Sequence, residues 1–211
     1  MIFVVVEGHG RALRWRSPRR INRRSSMHAV TLRQWTESDI APYAEMNADL
    51  EVMRYFPKPL SEKESLDSMR RQQQLIAERG WGLWAVEVDG AFAGFTGLSV
   101  PRFDAVFMPA IEAGWRIRRE FWGKGIATSA AQEALRYGFD VLKLKEIVSF
   151  TAGVNLRSRR LMERLGFIRD ERSDFDHPLI PVGHELRRHV LYRKRANRLL
   201  EPTSASVAPD V

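Results

Sequence analysis

Between Arg119 and Phe139 the chain reads REFWGKGIATSAAQEALRYGF, two glycines flanking a lysine and then a helical pattern without delay. A glycine-rich turn that opens a helix leaves backbone N–H groups with no intrahelical partner. Glycine lets the backbone approach a ligand closely and take dihedrals that a side chain resists. The helix dipole adds partial positive charge at the same place. Together these make an anion site suited to phosphate, to which Lys124 brings a charge and Thr128 a hydroxyl. Gly123-Lys124-Gly125-Ile126 lacks the Gly-x-x-x-x-Gly-Lys-Ser/Thr spacing of a P-loop. A dinucleotide fingerprint needs a third glycine and a position after the first strand. Here Thr128 and Ser129 stand in that region, and the motif comes late in the chain. Taken alone, the turn is equally a plain strand-to-helix connection.

Other chemistries are narrower. The chain has no cysteine, which excludes a disulfide framework, a thiol nucleophile and a cysteine-rich zinc site. His177, His184 and His189 are spaced too widely for a helical metal pair, so no metal site is expected. The loop Pro101–Pro109 keeps Phe103, Phe107 and Met108, which either line a pocket or tuck into the core. Asn155 heads a helical segment that stops at Gly166, where its commoner use is as a cap.

These residues need elements to hold them. Ala29–Trp35 alternates as a strand. Helical spacing follows from Ile40, broken by Tyr55-Phe56-Pro57-Lys58-Pro59. Ser61 and Glu64 form a capping box for a polar helix running to Gly80. Gly82–Asp89 and Ala91–Val100 are strands joined at Asp89-Gly90, a hairpin signal. Ala110–Arg116 is a strand whose internal glycine suggests a bulge or a close backbone approach. After it come the glycine turn, a helix to about Val141, the strand Glu146–Thr151 and the helix Asn155–Leu165. Phe167–Phe175 and Leu186–Tyr192 read as closing strands. Strands mixed with helices, with hairpins in the middle, give an α/β or α+β class with a mixed sheet.

The segment Trp122-Gly123-Lys124-Gly125-Ile126-Ala127 resembles motif A of the GNAT acyltransferase superfamily, Arg/Gln-x-x-Gly-x-Gly/Ala, with Trp122 at the Arg/Gln position. The stretch from Asn155 through Ser158, Leu161 and Met162 to Gly166-Phe167 is similar to the family's Asn-x-x-Ala/Ser-x-x-Leu-Tyr-x-x-x-Gly-Phe. The WGKGIAT form is similar to the branch of ribosomal-protein N-terminal acetyltransferases, over about residues 29–193. The resemblance implies a mixed, mostly antiparallel sheet of six or seven strands flanked by about four helices. It implies an acetyl-CoA-dependent N-acetyltransferase that attacks the thioester directly with an amine, from a small molecule or a peptide N-terminus. Backbone amides from Trp122 to Thr128 would hold the CoA pyrophosphate, and Asn155 and Ser158 the pantetheine end. Glu112, in Glu112-Ala113-Gly114-Trp115, matches the family's acid and would act as base directly or through a water. Ile117 would offer the oxyanion a backbone N–H. Phe103, Phe107 and Met108 would line the acceptor pocket. Two residues depart from the pattern: Ser129 replaces a frequent Glu, and Met162 replaces a frequent Tyr. A thioether cannot donate a proton, which leaves Ser158 or water as the acid.

The net charge of +8 raises nucleic acid as a partner. Residues 1–26 hold seven arginines against one acid, a surplus of six, so the remainder is nearly balanced. A basic arm, residues 1–26, is therefore separated from a transferase domain, residues 27–195, and a disordered tail, residues 196–211. Met27 offers an alternative start. The arm's Arg- and Ser-rich composition also loosely resembles a transit peptide. No apolar run reaches the roughly 20 residues of a membrane helix. A cytoplasmic monomer or homodimer is expected. Two rivals stand beside the enzyme: a non-catalytic acyl-CoA sensor on the same fold, and a ribosome- or nucleic-acid-associated protein acting through the arm.

Overall fold

The computed structural model describes residues 29–196. The basic arm and all but the first residue of the tail lie outside the described residues. The strands are β1 (Val30–Arg33), β2 (Leu83–Val88), β3 (Ala91–Ser99), β4 (Glu112–Ile117), β5 (Glu146–Ala152), β6 (Ile168–Arg169), β7 (Phe175–Asp176) and β8 (Arg188–Arg195). The helices are α1 (Ile40–Ala48), α2 (Glu62–Arg79), α3 (Ile126–Arg136) and α4 (Leu156–Arg164). One open sheet has the order β1-β2-β3-β4-β5-β8-β6, with β7 also paired to β8. Only β4 and β5 run parallel among these neighbours. This is the expected mixed, mostly antiparallel sheet with four helices.

The hairpin at Asp89-Gly90 has both residues at positive φ, 50° and 86°, as a tight two-residue turn between twisted strands requires. At α2 the capping box is made in both directions: the Glu64 N–H donates to Ser61 Oγ at 3.2 Å, and the Ser61 N–H donates to Glu64 Oε2 at 2.8 Å. Tyr43 of α1 packs its ring on Phe95 of β3 at 6.1 Å, so α1 and α2 cover one face of the sheet. On the other face Ala131 and Leu135 of α3 and Leu161 and Met162 of α4 close over Leu98, Ala113 and Ile147.

One sequence expectation changes and two sharpen. The closing strand Phe167–Phe175 is interrupted by a short helical turn at Glu171–Ser173, leaving two-residue strands on either side. Asp170 causes the break: its carboxylate accepts from the Ser173 hydroxyl and from Arg193, which folds the backbone back on itself. The glycine in β4 marks no bulge, since β3 and β4 pair in continuous register; the register shift falls between Val86 and Glu87 of β2. The helix to Val141 ends in a wider π-type turn over Tyr137–Val141, where Gly138 lets the backbone come down onto Ile147.

Candidate active site

β4 and β5 pair at a single register position, Glu112 with Val148, where the Val148 N–H donates to the Ile111 carbonyl at 2.9 Å. One side-chain tether follows, Ser149 Oγ donating to the Ala113 carbonyl at 2.8 Å. No further ladder joins them, so the two strands splay. The Arg118 N–H bonds the Ala93 carbonyl, so the even-numbered residues of β4 spend their backbone groups on β3. Ala113, Trp115 and Ile117 turn theirs towards the gap. The Ile117 carbonyl is taken by the Trp122 indole N–H at 2.7 Å, while its N–H faces the opening. Trp122 thereby pins the glycine turn to the end of the strand, a role its side chain, not its backbone, performs.

Beyond the splay, Gly123 and Gly125 take φ of 74° and 75°, a left-handed geometry that side chains resist. A Cβ at either would meet nothing within 4 Å, so the turn is an open cradle. Gly125 caps α3 with no side-chain hydrogen bond, leaving the N–H groups of Ile126, Ala127 and Thr128 aimed out of the helix start. Lys124 is exposed, its ammonium 5.6 Å from the Phe121 ring centroid. Ile126 is buried and anchors the helix, and Ala127 lies between the two core clusters. Thr128 Oγ1 accepts from Arg164 at 3.4 Å. The Arg157 guanidinium stands 4.5 Å over the Trp122 ring. Arg157 and Arg164 bring positive charge from α4 to the cradle, a contribution the sequence reading missed because arginines on a helix face give no signal of what they face.

Asn155 is the N-cap of α4: its Oδ1 accepts from the Ser158 N–H at 3.2 Å, and its Nδ2 donates to Thr151 Oγ1 at 3.0 Å. It therefore ties α4 to β5. Ser158, one turn in, is half-buried. Met162 is 1% exposed among core side chains, so no proton donor stands at that position.

Glu112 sits at the closed end of the splay. Its side chain shares a face with Gly114 and Arg116, and the Ser99 hydroxyl of the paired residue donates to it at 3.4 Å. Burial pushes its carboxyl up from the ordinary 4.5 to about 8, opposed only by that hydroxyl. A carboxyl that titrates close to neutrality beside a strand opening can take a proton from a substrate. Ser99 also lines a cavity of about 220 Å³, together with Gln72, Leu75, Arg79, Trp81 and Arg102.

The loop residues divide. Phe107 is buried against Val148 and Leu191, on the same face as Glu112. Phe103 and Met108 are half-buried. Phe103 stacks on Phe175 at 5.8 Å and touches His177 at 4.5 Å. The pairing of β7 with β8 brings the His177 and His189 rings to 4.9 Å, although they are twelve positions apart. Burial lowers both pKa values, His177 to about 4, which keeps these rings neutral. Among the described residues no cluster of three acidic or histidine side chains is arranged to hold a metal.

The fold that holds this arrangement has counterparts among known proteins. Residues 29–168 match the family model for an acetyltransferase (GNAT) domain. The chain belongs to the GNAT acetyltransferase family. Its relatives in this family act on different acceptors. An Aspergillus fumigatus FsC-acetyl coenzyme A-N(2)-transacetylase is 28% identical over 167 residues, 75% of this chain and 71% of that protein. The Escherichia coli spermidine N(1)-acetyltransferase is 31% identical over 143 residues, 67% of this chain and 74% of that one. The solved structure of RimL, a ribosomal L7/L12 alpha-N-protein acetyltransferase in complex with coenzyme A, has a TM-score of 0.63. It is 16% identical and covers 79% of this chain and 93% of its own. As a GNAT protein the chain is an N-acetyltransferase. No described helix is long and apolar enough to cross a membrane.

Proposed function

We propose that the chain moves the acetyl group of acetyl-CoA onto an amine, by direct attack, in the gap between β4 and β5. The reading rests on that splay, which leaves backbone donors unpaired between an open phosphate cradle and a carboxyl titrating near 8. The pyrophosphate lies on the amides of Gly123 to Thr128, with Lys124 and Arg157 adding charge. The pantetheine arm runs along the free edge of β4 towards Asn155 and Ser158. The amine nitrogen forms a bond to the thioester carbon, and the Ile117 N–H faces the developing oxyanion. The amine's proton passes to the ionised Glu112, directly or through one water. The C–S bond breaks, and the CoA thiolate takes a proton from Ser158 or from solvent. Phe103, Phe107 and Met108 belong to the loop that flanks the acceptor on this face. The acceptor is a small-molecule amine or a peptide N-terminus. Reaction in the cytoplasm, by a monomer or homodimer, belongs to the same proposal.

A non-catalytic acyl-CoA sensor is the alternative to test, since Met162, where the family pattern quoted above has Tyr, is buried. Calorimetric titration with acetyl-CoA, followed by a thiol-release screen over amines and N-terminal peptides, separates the two. Micromolar binding with thiol release supports the transferase. Binding without release from any acceptor supports the sensor, and absence of binding removes both.

A further inference from the structure

Arg116 stands two residues from Gly114 and four from Glu112 on the same face of β4. Its charge is unusual for this molecule. Arg33, Arg118, Arg169 and Arg193, all partly buried, each pair with at least one carboxylate. Among the described residues Arg116 pairs with none. Its Nη1 donates to the Asn47 amide oxygen at 2.5 Å, and the rings of Phe56 and Phe95 lie 4.0 and 5.3 Å from its guanidinium carbon. Its Nε is buried with no hydrogen-bond partner. Asn47 is itself fully buried and fixed by Ser65, its Nδ2 donating to the serine hydroxyl at 3.0 Å, so the guanidinium is held and cannot swing to a distant acid. Burial lowers the pKa to about 10, which leaves the group charged at neutral pH. A desolvated cation with unused donors is costly unless an anion meets it, and a guanidinium presents its donors in a geometry that matches a carboxylate.

The floor between Arg116 and Glu112 is open. A Cβ at Gly114 would meet only Leu83 at 3.9 Å and Glu112 Oε1 at 4.0 Å, both ordinary contacts. An extended molecule can lie along this glycine with one end at each side chain.

We propose that the acceptor is an amine that also carries a carboxylate, with Arg116 receiving the carboxylate while the amine faces Glu112. This rests on Glu112 being the proton acceptor of an N-acetyl transfer. It sets this chain apart from a polyamine transferase, because a second ammonium group would meet Arg116 as a like charge.

The test is thiol release with a ladder of ω-amino acids of increasing chain length, each against its own amide and against spermidine. At one or more lengths the acid is expected to exceed its amide in kcat/KM by about tenfold or more, the value of a charge-assisted pair. Arg116→Gln should erase that preference through KM, the acid losing about tenfold more than its amide, with the acetyl-CoA Kd within about threefold. Preference for the amides or for spermidine in the wild type overturns the proposal, as does an equal loss for acid and amide in the variant. If acetyl-CoA binds but no acceptor turns over, the transferase reading fails separately. Calorimetry of the CoA-saturated protein with the N-acetyl ω-amino acids then decides Arg116: binding lost in Arg116→Gln supports the anion site, and no binding in the wild type overturns it. Should Arg116→Gln not fold, Arg116→Lys keeps the charge without the planar fork and is expected to retain the preference only in part; full retention would show that Arg116 does not hold a carboxylate.

Discussion

A base that accepts a proton from an amine must be ionised when it does so, and Glu112 is held near 8 by burial. The rate is therefore expected to climb as pH rises through about 8. Glu112→Gln should lower kcat by about 10²-fold or more and remove that limb of the profile; wild-type turnover across pH would exclude Glu112 as the base. Linkage gives an independent reading. The folded state holds this proton more tightly than the unfolded chain, so between about 4.5 and about 8 the wild type loses stability as pH rises. Glu112→Gln carries no such penalty. Its melting temperature, measured without ligand, should gain on the wild type across that window and match its trend below it. Met162 poses a different question. It is packed in the core, so Met162→Tyr should cost about 1–3 kcal/mol by overfilling its site while acetyl-CoA affinity stays nearly intact. A large loss of affinity would place α4 differently against the ligand.

At the scale of elements, the site is a defect in a sheet made useful. β4 gives one edge to β3 and withholds most of the other from β5. Trp122 fastens the glycine turn to β4, and Asn155 fastens α4 to β5, so both sides of the gap are tied. Gly125→Val tests the turn. Apart from its chain neighbours nothing lies within 4 Å of the added Cβ, so the cost in the free protein is mainly conformational strain of about 1–3 kcal/mol. The added side chain occupies the cradle, and the acetyl-CoA Kd should rise at least about tenfold. An unchanged Kd in a folded variant would remove the phosphate assignment. Asn155→Ala should cost about 1 kcal/mol from the lost cap and weaken acetyl-CoA as α4 loosens from β5; thermal melts and titration measure the two effects separately.

For the whole molecule, two sets of carboxyls oppose each other. Asp39, 1% exposed and clasped by Arg33, lies below the usual carboxylate range despite its burial, as do Glu146 with Arg193 and Arg195 and Asp170 with Ser173 and Arg193. Their contribution is present above the ordinary values near 4 and is lost as pH falls through their folded values. Glu112 acts in the opposite direction at higher pH. The free protein is thus expected to be most stable on the acid side of neutrality, which melting temperatures across pH measure directly. The charge surplus of residues 1–26 makes a further whole-chain prediction: a chain starting at Met27 should keep its acetyl-CoA affinity and thiol release while losing affinity for polyanions. Loss of transfer on truncation would give the arm a part in the reaction.

The amino-acid sequence by itself determined what is contiguous. Gly123 and Gly125 before a helix, Asn155 at a cap, Ser61 with Glu64, and Asp89-Gly90 between strands all act within a few residues of themselves, through backbone geometry that local residue types dictate. Together, and through the resemblance they carry, they were enough to indicate the family and the fold. Tertiary structure alone decided what depends on neighbours distant in the chain. Arg116 meets Asn47 from 69 positions away, and His177 reaches His189 only because β7 pairs with β8. Trp122 lies under Arg157 of another helix. Whether β4 and β5 zip or part is a property of two strands and their helices jointly. The pKa of Glu112 follows from the same packing, because desolvation is a quantity of surroundings and no residue type encodes it.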